Sequence, residues 1–503
     1  MIWIFAPLLF QSCGNPVENS KYIPKDASLV LCFNLANFSQ KASDWQKLLN
    51  NDIPFLNIKK NEIFADQLKD SGIDFNSVAY FFSNFYVENQ ESYYALSIRL
   101  SNESKFDEFL RKAFAQVPEI KSYAGLRYAV LGNKSIIGWV NKVALIINRE
   151  NKTDEKNLRD ALLKLRDIPE GESLKANNKQ FQRLRLSEYD MAAWVNLESY
   201  EWLVKQSIRR SLLPVVVNLK DNYLTAVTKF EDGQILVDTK LHNMNQSLKE
   251  YQDVIKKGID QELVHHLPQF APLAIVGLGL DMKGIKRLVN SIMLQYVADQ
   301  TLELTGSSPD QILDMLSGDI VAILKDIKSD STRQPNYEYV IGLGIKQIST
   351  LDKILSTFKE NGILTGGDST YYAPEQDMYI VKQNNILFVT SSSGIRDDIL
   401  QIKDQEPETN LSTMANESFF MAYANVEKET REKLPEELFN GDKILEGITK
   451  FTETPFESFS INTLPVKDSV SRTRFVLALK EKKKNSLQML VNAFKNESQK
   501  KPN

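Results

Sequence analysis

Cysteine, histidine, glycine and proline are all scarce in this chain of 503 residues. It has two Cys and three His, so no closed four-ligand Cys/His zinc site is expected. Gly (21) and Pro (17) are too few for a collagen-like or linker-dominated protein. Basic residues show no excess: 61 Lys+Arg face 65 Asp+Glu, a formal charge of −4, which argues against a nucleic-acid partner. The apolar run at residues 2–10 has nine residues, where a membrane-spanning helix needs roughly 20. No G-x-S-x-G elbow, P-loop or H-E-x-x-H motif occurs.

What remains is an ordinary folded composition, with 42% hydrophobic and 25% charged residues. At roughly 150 residues per domain, it suggests about three domains or two large ones.

The strongest internal signal is repetition. YALSIRLSNESKFDEFLRKAF, from Tyr94, matches YVIGLGIKQISTLDKILSTF, from Tyr339. Each half alternates apolar residues as a strand does. It then sets Phe106, Phe109, Leu110 and Ala113, or Leu351, Ile354, Leu355 and Phe358, on one helical face. Further pairs follow in the same order: Ser28 with Pro272, Val143 with Ile386, Ala193 with Ala422, and Gln246 with Asn485. The expectation is an α+β fold of two tandem homologous repeats, over residues 23–261 and 262–503. Each would be an antiparallel or mixed sheet with helices on one face. The segment 258–268 (GIDQELVHHLP) is the expected junction.

The N-terminus reads as an address. The run IWIFAPLLF suits the apolar part of a signal peptide, over residues 1–12. Ser12 directly before Cys13 resembles a bacterial lipobox, with Cys13 as the lipidation site and residues 13–22 as its tether. Phe10 and Gln11 depart from the usual lipobox, and no Lys or Arg precedes the apolar run. Together with the phrase Tyr22-Ile-Pro-Lys-Asp-Ala27, this chain resembles an uncharacterised family of Bacteroidetes lipoproteins, a domain-of-unknown-function family. The resemblance implies a cell-envelope location and carries over no functional residues. Only Glu18 is acidic among residues 14–21. A surface-export signal would show an acidic cluster, so the periplasmic face of the outer membrane is expected.

Candidate chemistry is sparse. Cys32 lies in an apolar strand-like run and reads as an inert core thiol. His265 and His266 are adjacent, so their rings diverge in any regular element, and Glu262 alone does not complete a metal site. Gly277-Leu-Gly279 and Gly342-Leu-Gly344 lack the third glycine of a dinucleotide fingerprint and read as close-packing positions. The basic run 480–484 reads as a solvated turn. The pairs Glu436-Glu437 and Asp397-Asp398 say nothing about glycoside hydrolysis without geometry. The best candidate surface is aromatic: Tyr80, Phe82, Tyr86 and Tyr94 on neighbouring strands. The functional expectation is a lipid-anchored, non-catalytic binding or scaffold protein. It needs no cofactor or metal, and its partners are the membrane and an envelope protein or glycan. The alternatives are an envelope hydrolase and a carrier of apolar ligands.

Overall fold

The computed structural model describes residues 18–42, 68–84, 92–113, 119–185, 188–202, 218–243, 253–255, 258–268, 270–292, 302, 304–329, 335–402, 415, 417–427 and 455–500. They fall into two compact units. The first takes residues 1–202, 223–230 and 487–503, and the second takes 203–222 and 231–486.

The first unit is built from β1 (Leu29–Asn34), α1 (Leu35–Lys41), β2 (Val78–Asn84), β3 (Tyr93–Arg99), α2 (Glu103–Ala113), β4 (Lys121–Tyr123), β5 (Leu126–Val130), β6 (Ser135–Val140) and β7 (Val143–Arg149). There follow α3 (Glu155–Arg166), α4 (Leu174–Asn177), α5 (Lys179–Arg185), β8 (Met191–Asn196) and β9 (Tyr223–Glu231). Every pairing is antiparallel, in the order β4-β5-β6-β7-β3-β2-β1-β8-β9. Asn141 and Lys142 both adopt left-handed φ, which gives the β6–β7 hairpin the twist its strands require.

The sheet carries helices on both faces, not on one as expected. Neighbours along a strand point to opposite faces. A Cβ built on Gly138 of β6 would strike Leu162 of α3, whereas the next residue, Trp139, meets the Phe106 ring of α2 edge-on at 5.6 Å. Strand β6 is therefore buried on both sides. A fully buried ring such as Trp139 or Phe106 contributes about 1.5–3 kcal/mol.

The second unit contains β10 (Gln234–His242), α6 (Gln261–His265), β11 (Ala274–Gly279), α7 (Met282–Ile292), α8 (Pro309–Met315), β12 (Leu316–Ser329), β13 (Pro335–Ile345) and α9 (Ile348–Glu360). It continues with β14 (Thr365–Gly367), β15 (Thr370–Ala373), β16 (Met378–Gln383), β17 (Ile386–Thr390), α10 (Ser393–Gln401), β18 (Phe420–Asn425), β19 (Phe456–Lys467) and β20 (Val470–Leu479). A last helix, α11 (Ser486–Lys500), belongs to the first unit from residue 487 onward. The sheet order is β14-β15-β16-β17-β13-β12-β11-β18-β19-β20-β10, again antiparallel throughout. Helices α6 and α10 bury Leu263, Val264, Ile395 and Ile399 in one core. Helices α8 and α9 bury Met315, Leu351 and Leu355 in a second core.

Strand for strand, β4 to β9 and β14 to β19 follow the same path. The register agrees as well: Ala95 pairs with Ile147 across β3–β7, and Val340 with Thr390 across β13–β17. These are the offsets read from sequence, 245 and 243. One alignment needs correcting. Cys32 faces Ala192, and Gly277 faces Met421. The equivalent of Cys32 is thus Gly277, one residue later than matching Ser28 to Pro272 implies. Burial agrees, since Val30 and Cys32 are buried as Ile275 and Gly277 are.

The compact units do not coincide with the two sequence halves. Strand β10, from the first half, pairs along its whole length with β20 in the second unit. The expected junction, 258–268, is itself packed into the second unit. Ile259, Leu263, Val264 and Leu267 from this segment are buried in the second unit's core.

Candidate functional site

The expected aromatic surface divides between two faces. Tyr80 and Phe82 lie in the first unit's core, at 4% and 0% exposure, beside Val30, Cys32 and Trp194. They are not surface rings, because helices cover the face on which both of them point. Tyr94 is half-buried on the opposite face, where it stacks on Phe81 with centroids 6.0 Å apart. Tyr86 lies outside the described residues, as do Cys13 and the Glu436-Glu437 pair.

That opposite face carries an apolar row. Ala226, Ala193, Leu31, Phe81 and Leu96 are direct cross-strand neighbours, all half-buried. In the second unit the equivalent row is longer. From β10 to β17 it runs Val237, Phe475, Ile461, Ala422, Val276, Ala322, Ile341, Val389, with each residue paired to the next. None of the eight is polar and none is fully buried. Val276, at its centre, is 43% exposed. One residue along β11, Gly277 faces the core, where a Cβ would crowd Met421 and Ile259. Gly279 meets the Gly258 backbone and Gly342 meets Leu263. These glycines therefore serve close packing on the side away from the row.

The first unit also holds a polar cluster at its N-terminal entry. The Glu18 carboxylate is gripped by Arg185 at 2.5 Å and Lys175 at 3.3 Å, and Ser20 donates to it at 2.5 Å. Burial alone would raise its pKa, but the Ser20 hydrogen bond and the two cations outweigh burial and hold it low. Asn19 donates to Val78 O and Ser97 O, at 2.9 and 3.3 Å, and fixes the entry to the sheet. Beneath lie Cys32, Tyr80 and Tyr189. Burial pushes the Cys32 thiol and the Tyr80 hydroxyl each up to about 12 and raises Tyr189 as well. Cys32 is thus a poor nucleophile.

The histidines do not converge. His242 is buried in β10, and burial lowers it to about 4. His266 Nδ1 lies 2.8 Å from Glu262 O and Nε2 lies 3.1 Å from Asn384 Nδ2. A carbonyl only accepts and an amide NH2 only donates, so this is the Nδ1–H tautomer, tying α6 to the β16–β17 turn. His265 and Glu262 are exposed. No group of three or more His, Cys, Asp or Glu able to hold a metal occurs among the described residues. The run 480–484 is laced into ion pairs, Lys480 with Glu427, Lys482 with Glu457 and Lys484 with Glu481. Glu155 and Asp167, like Glu18, have lowered pKa values, through hydrogen bonds from Lys121 and Arg166 respectively. That direction suits ion pairing and is opposite to what an acid catalyst needs. No helix among the described residues is long and apolar enough to cross a membrane.

Sequence reasoning missed Phe81 and Val276. Pairing register alone places a residue in a cross-strand row, and the signal available in sequence was strand alternation around Tyr94 and Ile341.

The chain matches the family described as "Domain of unknown function (DUF4836)" over residues 20–487, and it belongs to that family. No curated protein matches it. Among solved structures it is similar to crystal form I of TP0453, at 12% identity and a TM-score of 0.28. That match covers 47% of this chain and 81% of the other. Crystal form III of TP0453 matches at 11% identity and a TM-score of 0.29, covering 48% and 90%.

Proposed function

For a member of that family, we propose a lipid-anchored envelope protein that works by binding rather than by catalysis. It is joined through Cys13 to the periplasmic face of the outer membrane. Its body consists of two copies of one α+β unit, over residues 23–261 and 262–503. The common strand order and the agreeing register support the duplication. Ser12-Cys13 behind a nine-residue apolar run supports the anchor.

The binding reading rests on one observation, the apolar row centred on Val276. Eight strands at about 4.8 Å spacing make it roughly 34 Å long. A small-molecule pocket of several hundred Å³ is much more compact. An extended apolar face of this kind suits the surface of another envelope component, as large apolar patches on soluble domains generally do.

Two measurements test the two halves of the proposal. Metabolic labelling with a fatty-acid analogue should mark the wild type and fail on Cys13→Ala; equal labelling of both removes the anchor. Binding of an apolar fluorescent dye should fall several-fold in Val276→Asp with the fold intact by circular dichroism. Unchanged dye binding removes the face.

A further inference from the structure

The apolar row through Val276 is one of three. Ala274 and Leu278, two residues to either side on β11, belong to two more, which run across the same strands from Ile235 to Tyr339 and from Thr239 to Leu387. Together the rows set 23 residues on one face, none of them charged and none fully buried. In a chain that is 25% charged, a surface of this extent would ordinarily carry several charges. Only Thr239, Thr463, Thr473 and Tyr339 are polar, and each is already satisfied. Thr239 donates to Thr473 O at 3.1 Å, Thr463 and Thr473 share a hydrogen bond at 3.1 Å, and Tyr339 Oη donates to Met378 Sδ at 2.9 Å. A dry partner laid on this face strands no side-chain hydroxyl. The face ends at Leu387, which packs against the core of α8 and α9. On the opposite side of the central strands, Ile275, Val321, Val340 and Met421 are buried with residues of α6 and α10.

From this geometry we propose that the three-row face is where a second copy of the chain docks, sheet against sheet. This docking rests on the binding face proposed above and names its partner. Eight strands and three rows make the face about 34 Å by about 20 Å, or about 700 Å². A stable interface takes about 800 Å² from each partner, so the face is close to the size a dimer needs. Transient partners meet through surfaces no more apolar than average, whereas interfaces between identical chains are more apolar, with cores poor in charge. The uncharged rows match the second kind. Such a face is also complementary to itself, because two sheets of the same twist stack with their strands about 30° apart. A pair of this kind is isologous, so Val276, at the centre of the face, lies near its own equivalent across the two-fold axis.

Sedimentation equilibrium of the full chain carrying Cys13→Ala tests the docking. Across the micromolar range its mass should rise towards twice 57.4 kDa. Adding Val276→Asp places two unpaired carboxylates in each dimer and should weaken association about 100-fold or more, with circular dichroism unchanged. Should that variant fail to fold, cysteine crosslinking decides instead. Val276→Cys should be joined to its equivalent by a short bis-maleimide, and Lys164→Cys, exposed on α3, should not. Cys32 is buried and does not compete. A chain that keeps the mass of one copy throughout overturns the proposal. So does a dimer that survives Val276→Asp and leaves Val276→Cys uncrosslinked, since the copies then meet elsewhere. The face itself is read separately, by dye binding to the dilute, dissociated chain. A monomer whose dye binding still falls in Val276→Asp keeps the face and loses only the second copy.

Discussion

Lys41 and Asp190, 149 residues apart in the chain, meet at 2.6 Å. The Asp190 carboxylate is wholly buried and also accepts from Asn37 Nδ2 at 3.0 Å and from Phe230 N at 2.6 Å. Lys41 donates in turn to Phe230 O at 2.8 Å. Together they clamp α1 to β8 and to the end of β9. The two partners are unequal, because the Lys41 side chain keeps 30% of its exposure and Asp190 keeps none. Removing the lysine strands a buried carboxylate, while removing the carboxylate leaves a lysine that can turn to water. Lys41→Met is expected to cost about 3–5 kcal/mol. Asp190→Asn should cost about 1–3 kcal/mol. Urea unfolding of the two variants checks the order, and the reverse order would refute this account of the clamp.

Gly279 and Gly342 offer a matched comparison. A Cβ at Gly279 would sit 2.8 Å from the Gly258 carbonyl oxygen, and one at Gly342 would sit 2.8 Å from a Leu263 methyl. A methyl on a flexible side chain can yield, whereas a backbone carbonyl moves only with the chain segment that bears it. Gly279→Ala should therefore destabilise by about 1–3 kcal/mol, and Gly342→Ala by less. Thermal unfolding of the pair decides the point.

His242 predicts a pH dependence. Its folded pKa is about 4, held down by burial, and its unfolded value is near 6.5. Between these values the unfolded chain binds the extra proton. The contribution is therefore intact above pH 6.5 and is lost as pH falls towards 4, with a slope of about 1.4 kcal/mol per pH unit for one proton. Comparing wild type with His242→Leu at pH 7 and pH 5 should show the larger loss of stability in the wild type.

Cys32 should be silent in the native protein. In the Cys13→Ala chain, a thiol reagent at pH 8 should find no reactive group until denaturant is added, then one per chain. Rapid native labelling would contradict the buried environment that raises this thiol to about 12.

Part of the fold was legible because two stretches of the sequence carry the same strand-then-helix pattern. Around Tyr94 and around Tyr339 apolar residues alternate and then fall on one helical face, and β3 with α2, and β13 with α9, lie where that pattern places them. The slip at β1 has a physical cause. Leu29 to Phe33 and Leu273 to Val276 are near-continuous apolar runs, which lack the alternation that fixes strand parity. The same loss of alternation hid the second helical layer. Ile136, Ile137 and Trp139 are all buried, so β6 gives no sign that one of its faces differs from the other. The aromatic surface was half legible. Alternation promised that Tyr80 and Phe81 face apart, but only register shows which of them joins Tyr94.

The first compact unit gathers residues 1–202, 223–230 and 487–503, so the chain leaves it, builds most of the second, and returns only at the end. A ribosome delivers these pieces in order. The first unit therefore stays incomplete through the synthesis of more than 250 intervening residues, and neither unit is a contiguous piece that a simple genetic cut would release. If the protein is exported, as the proposed Cys13 anchor requires, this timing is favourable. A chain that cannot finish folding until its last helix emerges stays open to an export channel for nearly the whole of its synthesis.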